Sequence, residues 1–230
     1  MKGLTKSDKT YIFLVLLMFL GKVVWRSFNL DHPLIQRSMN TWAIMFLASA
    51  LGFVALRIAK RTGFPDIWEE GISTKQRFII PVFTGLAFAA VEIIIGIIMQ
   101  MPKNMHVDFP LSIPVYLSVG ILSEIIFHLI PIVFLLWLIS NVILKGRGQN
   151  QVFWILAFLI SLWEPILQTI MTYKMGIVTD ITFSAIILVF GFAGNMIPVS
   201  FFRKYGFLTV IIWRLTDYLI WHIIWPIIGY

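Results

Sequence analysis

The chain contains no cysteine, which excludes a disulfide framework, a thiolate metal site and a cysteine nucleophile. Charge is also scarce: 13% of residues are Asp, Glu, Lys or Arg, whereas 59% are hydrophobic. Soluble domains carry roughly 25% charged and 45–50% apolar residues. A mean hydropathy of +0.90 therefore belongs to a chain whose outer solvent is lipid. No internal repeat or low-complexity tract is present, which counts against the repeat architecture of many secondary transporters. Two catalytic signatures are missing as well. There is no H-E-x-x-H, and Ser123, although it adjoins Glu124, has no G-x-S-x-G setting. A zinc ion has only His128 and His222 as intramembrane imidazoles, and no spacing compels one. Neither a metal nor a cofactor is expected.

What is present is a series of long apolar windows, at 10–26, 41–59, 77–100, 112–144, 152–173, 181–201 and 207–229. Each is long enough to cross about 30 Å of hydrocarbon. They predict an all-α, multi-pass transmembrane helical bundle of about seven spans, a single membrane domain over residues 1–230 with the lipid bilayer as its first partner. The fourth window is too long for one perpendicular crossing, since about 33 residues at 1.5 Å each reach about 50 Å. Pro131 predicts a kink there. Lys2, Lys6 and Lys9 before the apolar run from Tyr11 resemble a signal peptide, but no small-residue cleavage site follows, so an uncleaved first helix is expected.

The net charge of +7 does not imply nucleic acid, because the basic residues flank apolar spans and form no single stripe. Their placement sets an orientation. Lys2, Lys6, Lys9, Arg57, Lys60, Arg61, Lys75, Arg77, Lys145, Arg147, Arg203 and Lys204 fall on one side, against Lys22, Arg26, Arg37, Lys103 and Lys174 on the other. This predicts an integral membrane protein with a cytoplasmic N-terminus; a bacterial plasma membrane is the expected location. The polar connection KRTGFPDIWEEGISTKQR (60–77) is punctuated by Pro65 and Gly71, and Phe64, Ile67 and Trp68 are expected at the membrane interface as a short amphipathic turn. Trp25, Trp42, Tyr173, Trp225 and Tyr230 near span ends suit an interfacial belt.

Seven ionisable side chains interrupt the apolar windows: Glu92, Glu124, His128, Glu164, Arg214, Asp217 and His222. A charge at the bilayer centre costs roughly 2.5–3.5 kcal/mol on insertion scales, so such residues pair, bind or react. Glu124 and His128, four apart, share a helix face. They form either a packing pair or a ligand-facing acid–base pair. Glu164 precedes Pro165, so its carboxyl either bonds a carbonyl released one turn back or opens toward a cavity. Arg214 requires an anion, with Asp217, Glu164 and Glu124 as candidates. Glu92 is isolated and reads as a lone hydrogen-bonded acid. Gly191 and Gly194, beside Asn195, suggest close helix packing or a helix break.

The order of these features resembles the CAAX-protease and bacteriocin-processing (CPBP, or Abi) family of multi-pass intramembrane proteases and their relatives. The family's E-E-x-x-x-R frame is occupied by Ser123-Glu124-Ile125-Ile126-Phe127-His128, followed by PIVFLLWLISNVILKGRG. AFLISLWEP takes the place of the F-x-x-x-H motif, with Trp163 or Glu164 where the histidine belongs. FFRKYGFLTVIIWRLTDYL matches the basic turn at Arg203, Gly206 and Leu208, then places Arg214 at a histidine position and Asp217 near an asparagine. WEEGIS resembles the glycine-centred stretch that precedes the family core, and the resemblance covers 66–222. It implies peptide-bond hydrolysis in which paired glutamates activate a water while histidines and an asparagine position it and stabilise the oxyanion. Of these groups only the second glutamate is kept, as Glu124.

Three functions follow from these residues. A catalytically divergent or silent relative would use Glu124, His128, Glu164, Arg214 and Asp217 to line a polar pocket for a membrane peptide or protein partner. An active intramembrane endopeptidase would use Glu124 as general base, His128 as its orienter and Arg214 or His222 for the oxyanion. A proton-coupled transporter would use the same carboxylates. Convergence of these side chains on one cavity marks a site, whereas dispersal into separate pairs marks packing.

Overall fold

The computed structural model describes residues 3–28, 41–101, 105–174, 176 and 180–229. Among them no strand occurs, and nine α-helical segments form one bundle. These are α1 (Lys6–Arg26), α2 (Trp42–Ala59), α3 (Ile80–Ile98), α4 (Ser112–Ser123), α5 (Ile130–Leu136), α6 (Gln149–Lys174), α7 (Ile181–Tyr205), α8 (Phe207–Tyr218) and α9 (Trp225–Ile228). Six continuous helical runs among the described residues are long and apolar enough to cross a membrane: Trp42–Thr62, Lys75–Ile98, Ser112–Ile143, Gln149–Lys174, Ile181–Tyr205 and Phe207–Ile228. They mark an integral membrane protein. The first expected window does form α1, but Lys6, Asp8, Lys9, Lys22 and Arg26 leave only residues 10–21 of it uncharged, so it falls outside the six. Outward-facing side chains are large and apolar, as at Phe13, Phe46, Phe83, Ile97, Ile155 and Val189, the inverse of a water-facing surface.

Three spans contain the same local device. In each, a wide π-helical turn ends at the residue before a proline: Ile80 N–H donates to Lys75 O, Ile130 N–H to Ile125 O, and Trp225 N–H to Ile220 O. Pro81, Pro131 and Pro226 follow. A proline cannot donate to the carbonyl four residues back, and its ring collides with that carbonyl in a regular turn. Widening the turn by one residue lets the helix continue. The kink expected at Pro131 is thus a wide turn over Glu124–Leu129, which carries two of the ionisable side chains.

Helix ends are fixed by short-range chemistry. Thr5 caps α1 in a reciprocal box with Asp8, whose carboxylate also receives Arg57 Nε and Nη2 at 2.8 Å each. That fork ties the start of α1 to the end of α2. At the same end Trp68 Nε1 donates to Thr10 Oγ1 (2.8 Å), Asn141 Nδ2 to Arg61 O (3.0 Å) and Arg203 Nη1 to Thr62 O (2.8 Å). Phe64 and Ile67 are buried in the core, with Arg203 over the Phe64 and Phe153 rings. The expectation of an interfacial amphipathic turn is corrected there, because the connection folds under the helix ends. Asp66 in this connection is pushed up by burial, but Lys60 and Ser7 outweigh that and hold its carboxyl below its ordinary value. Gly206 (φ 87°) reverses the chain between α7 and α8, in a conformation that favours glycine.

α8 is the central element and packs on α3, α4 and α7. Its Trp213 is fully buried against Phe88. α1 lies along α4, where a Cβ on Gly21 would stand 2.6 Å from Pro114 O. Trp25 is buried beside Val107, Val115, Tyr116 and Ile223, which corrects its placement in an interfacial belt. Tyr230, Lys2, Arg37 and Lys103 lie outside the described residues. α7 runs unbroken through Gly191 and Gly194, which are close-packing positions. A Cβ on Gly191 would stand 2.8 Å from Pro165 Cγ. Gly191→Leu is therefore expected to lower stability in detergent by about 1–3 kcal/mol, read as a drop in melting temperature, whereas Gly71→Ala, with open space around it, leaves it unchanged.

Candidate functional site

The site begins with a missing N–H. Pro165 cannot donate to Ser161 O, the carbonyl one turn back on α6. Asn195 Nδ2, from α7, donates to that carbonyl instead, at 3.4 Å. This orients the amide so that its Oδ1 faces α8 and accepts from Arg214 Nη2 at 2.7 Å. Arg214 Nε donates to Glu124 Oε1, and the other oxygen, Oε2, is hydrogen-bonded to His128 Nδ1. One chain of bonds thus runs from α6 through α7 and α8 to the wide turn after α4. Glu124 and His128 are fully buried. A buried carboxylate and guanidinium are tolerated in an apolar bundle only as such a pair.

A second polar group lies beside the first. The carboxyls of Glu92 (α3) and Asp217 (α8) hydrogen-bond each other. Two carboxyl groups bond each other only when one carries a proton. Apart from this contact, Glu92 Oε2 and Asp217 Oδ1 are buried with no hydrogen-bond donor among the described residues.

Both groups border a cavity of about 350 Å³ between α3, α4, α6, α7 and α8. Its polar lining residues include Glu92, Glu164, Asn195, Arg214, Asp217 and His222, and its aromatic ones Phe88, Phe127, Phe190, Tyr116, Tyr218 and Trp221. The cavity reaches the bundle surface between α4 and α6. There Glu164 is half-buried, while Gln168 and Leu167 are exposed. The packing explains this opening: α6 packs on α5 and the Glu124–Leu129 turn, whereas α4 packs on α1 and α8. At the end nearer the 105–111 connection, His222 stacks on Tyr116 (4.2 Å between ring centroids) and its Nδ1 lies 3.1 Å from His106 Nδ1.

Glu164, Arg214 and Asp217 therefore converge on one cavity, joined by Glu92 and His222. Glu124 and His128 do not line it; they stand behind Arg214 with both carboxylate oxygens of Glu124 engaged. One expectation is corrected and two open alternatives are decided. Of the three candidate partners of Arg214, Glu124 is the one bonded to it. Glu92 is half of a carboxyl pair, because Asp217 on α8 faces it across the α3–α8 contact. The carbonyl released by Pro165 is taken by Asn195, which leaves Glu164 to the cavity. Asn195 itself was readable only as a neighbour of two glycines. Its signal in the chain is the unmet acceptor that Pro165 creates on another helix. Among the described residues no three His, Asp or Glu side chains come together as a metal cluster.

Asn195→Ala strands Ser161 O and removes one acceptor of Arg214. It is expected to cost about 2–4 kcal/mol, seen as a lower melting temperature, and Asn195→Asp does not rescue it because a carboxylate cannot donate to Ser161 O. No protein-family model, curated protein or solved structure matches the chain.

Proposed function

We propose that this protein is a receptor within the membrane: a non-hydrolysing relative of the CPBP proteases that takes a segment of a membrane peptide or protein partner into its polar cavity. The observation that carries this reading is the position of Glu124. A general base must reach a water held against the substrate. Both Glu124 oxygens are instead bonded, to Arg214 and His128, and the side chain lies outside the cavity wall. Its chemistry is to neutralise and aim Arg214. The opening between α4 and α6, bordered by Glu164 and Gln168, supports lateral entry of a partner from the lipid.

The distribution of basic residues supports one orientation of the bundle in its membrane. Lys6, Lys9, Arg57, Lys60, Arg61, Arg203 and Lys204 gather at the bundle end where the 60–74 connection docks. That end faces the cytoplasm under the positive-inside rule, together with the N-terminus.

The test offers the reconstituted full chain a library of single-span peptides. A subset is captured intact, and capture is lost in Val119→Trp, which fills the cavity from α4. Cleavage of any peptide that Glu124→Gln abolishes overturns this reading in favour of an endopeptidase.

A further inference from the structure

The cavity wall carries an imbalance that selects its occupant. Arg214 is the one Lys or Arg among the lining residues, and its charge is met by Glu124 from behind. On the cavity side stand three more carboxyl groups, those of Glu92, Asp217 and Glu164. Glu92 and Asp217 lie too close to ionise together unless a cation joins them, and in their hydrogen-bonded state a shared proton takes that role. The same lining carries aromatic rings, including Phe88, Tyr116, Phe127 and Tyr218, whose faces attract organic cations.

We propose that the group the cavity accepts is an alkylammonium, the lysine side chain of the partner's membrane segment, and that it enters in exchange for the proton shared by Glu92 and Asp217. This inference rests on the receptor reading above. The exchange balances: the ammonium keeps its own protons and bridges the two carboxylates with N–H donors, while the shared proton leaves to water. The charge of the Glu92–Asp217–cation group is the same before and after, so the exchange adds no charge to the low-dielectric interior. The groups that surround the exchange site are Arg214 and Tyr218 on α8, Glu164 on α6, Glu124 behind Arg214 and His222 beyond Tyr218. Glu164, half-buried at the opening between α4 and α6, is the first carboxylate an incoming ammonium meets. An anionic occupant would instead face three carboxyls and a guanidinium that already has its counter-ion.

The experiment titrates the full chain, in nanodiscs of zwitterionic lipid and weak buffer with a pH indicator, against three probes. These are an apolar single-span peptide with one central lysine, the same peptide with leucine there, and dodecylammonium. The lysine peptide is expected to bind about tenfold or more tightly than the leucine peptide and to release about one proton per complex. Glu92→Gln is expected to abolish proton release while binding persists on Asp217. Glu92→Gln with Asp217→Asn removes the lysine preference, with helix content by circular dichroism confirming that both variants are folded. Dodecylammonium binding with proton release, but no binding of either peptide, supports the exchange and makes the peptide-receptor reading the one that fails. Equal binding of both peptides without proton release overturns the exchange and leaves the receptor reading standing. Binding of no probe, or proton release unchanged in Glu92→Gln, overturns the exchange.

Discussion

The structure depends on satisfying one buried carboxylate. Glu124 sits fully enclosed in an apolar bundle, where an unpaired charge is prohibitive. Arg214 answers it, and Arg214 in turn needs Asn195, whose amide is oriented by the carbonyl that Pro165 leaves open on α6. Four helical elements are therefore placed relative to one another by a single run of hydrogen bonds. Non-directional packing in lipid does not supply such a register, because lipid tails and side chains are equally apolar. The polar chain and the tight glycine contacts, such as Gly191 on Pro165, do.

Proline shapes the same region twice, in opposite ways. Before Pro131 the backbone widens into a π-turn and carries Glu124 and His128 inward. At Pro165 the helix stays regular and exports its unmet carbonyl to a neighbour. One proline thus sets where the carboxylate points, and the other sets which side chain holds its counter-ion. The consequence for chemistry is direct: the glutamate that the CPBP resemblance singles out is occupied by structure, while the cavity is faced by Glu164, Arg214 and Asp217 and by one carboxyl that the resemblance does not mark, Glu92.

Much of this was legible in the chain. The helical membrane fold followed from apolar windows, and the ionisable residues inside them did identify the polar interior. The pairing among them was not legible, since it depends on which helices become neighbours. Asp217, Glu164 and Glu124 were all available to Arg214, and local spacing did not decide among them. The α3–α8 contact gives Asp217 to Glu92, and the contact of α8 with the Glu124–Leu129 turn gives Arg214 to Glu124. Likewise Phe64, Ile67 and Trp25 read as interfacial from their place near span ends, but docking of the end connections buries Phe64, Ile67 and Trp25 in the core. Pairing across helices is a tertiary fact, and only the demand for a partner is written locally.

The central claim is that Glu124 serves as the counter-charge of Arg214. A thermal-stability cycle in detergent over Glu124→Gln, Arg214→Gln and the double variant tests it most directly. Each single change strands a buried charge and is predicted to cost about 3–5 kcal/mol. The double change, which leaves two neutral amides able to bond each other, is predicted to recover much of that loss. Additive losses in the double variant would contradict the account.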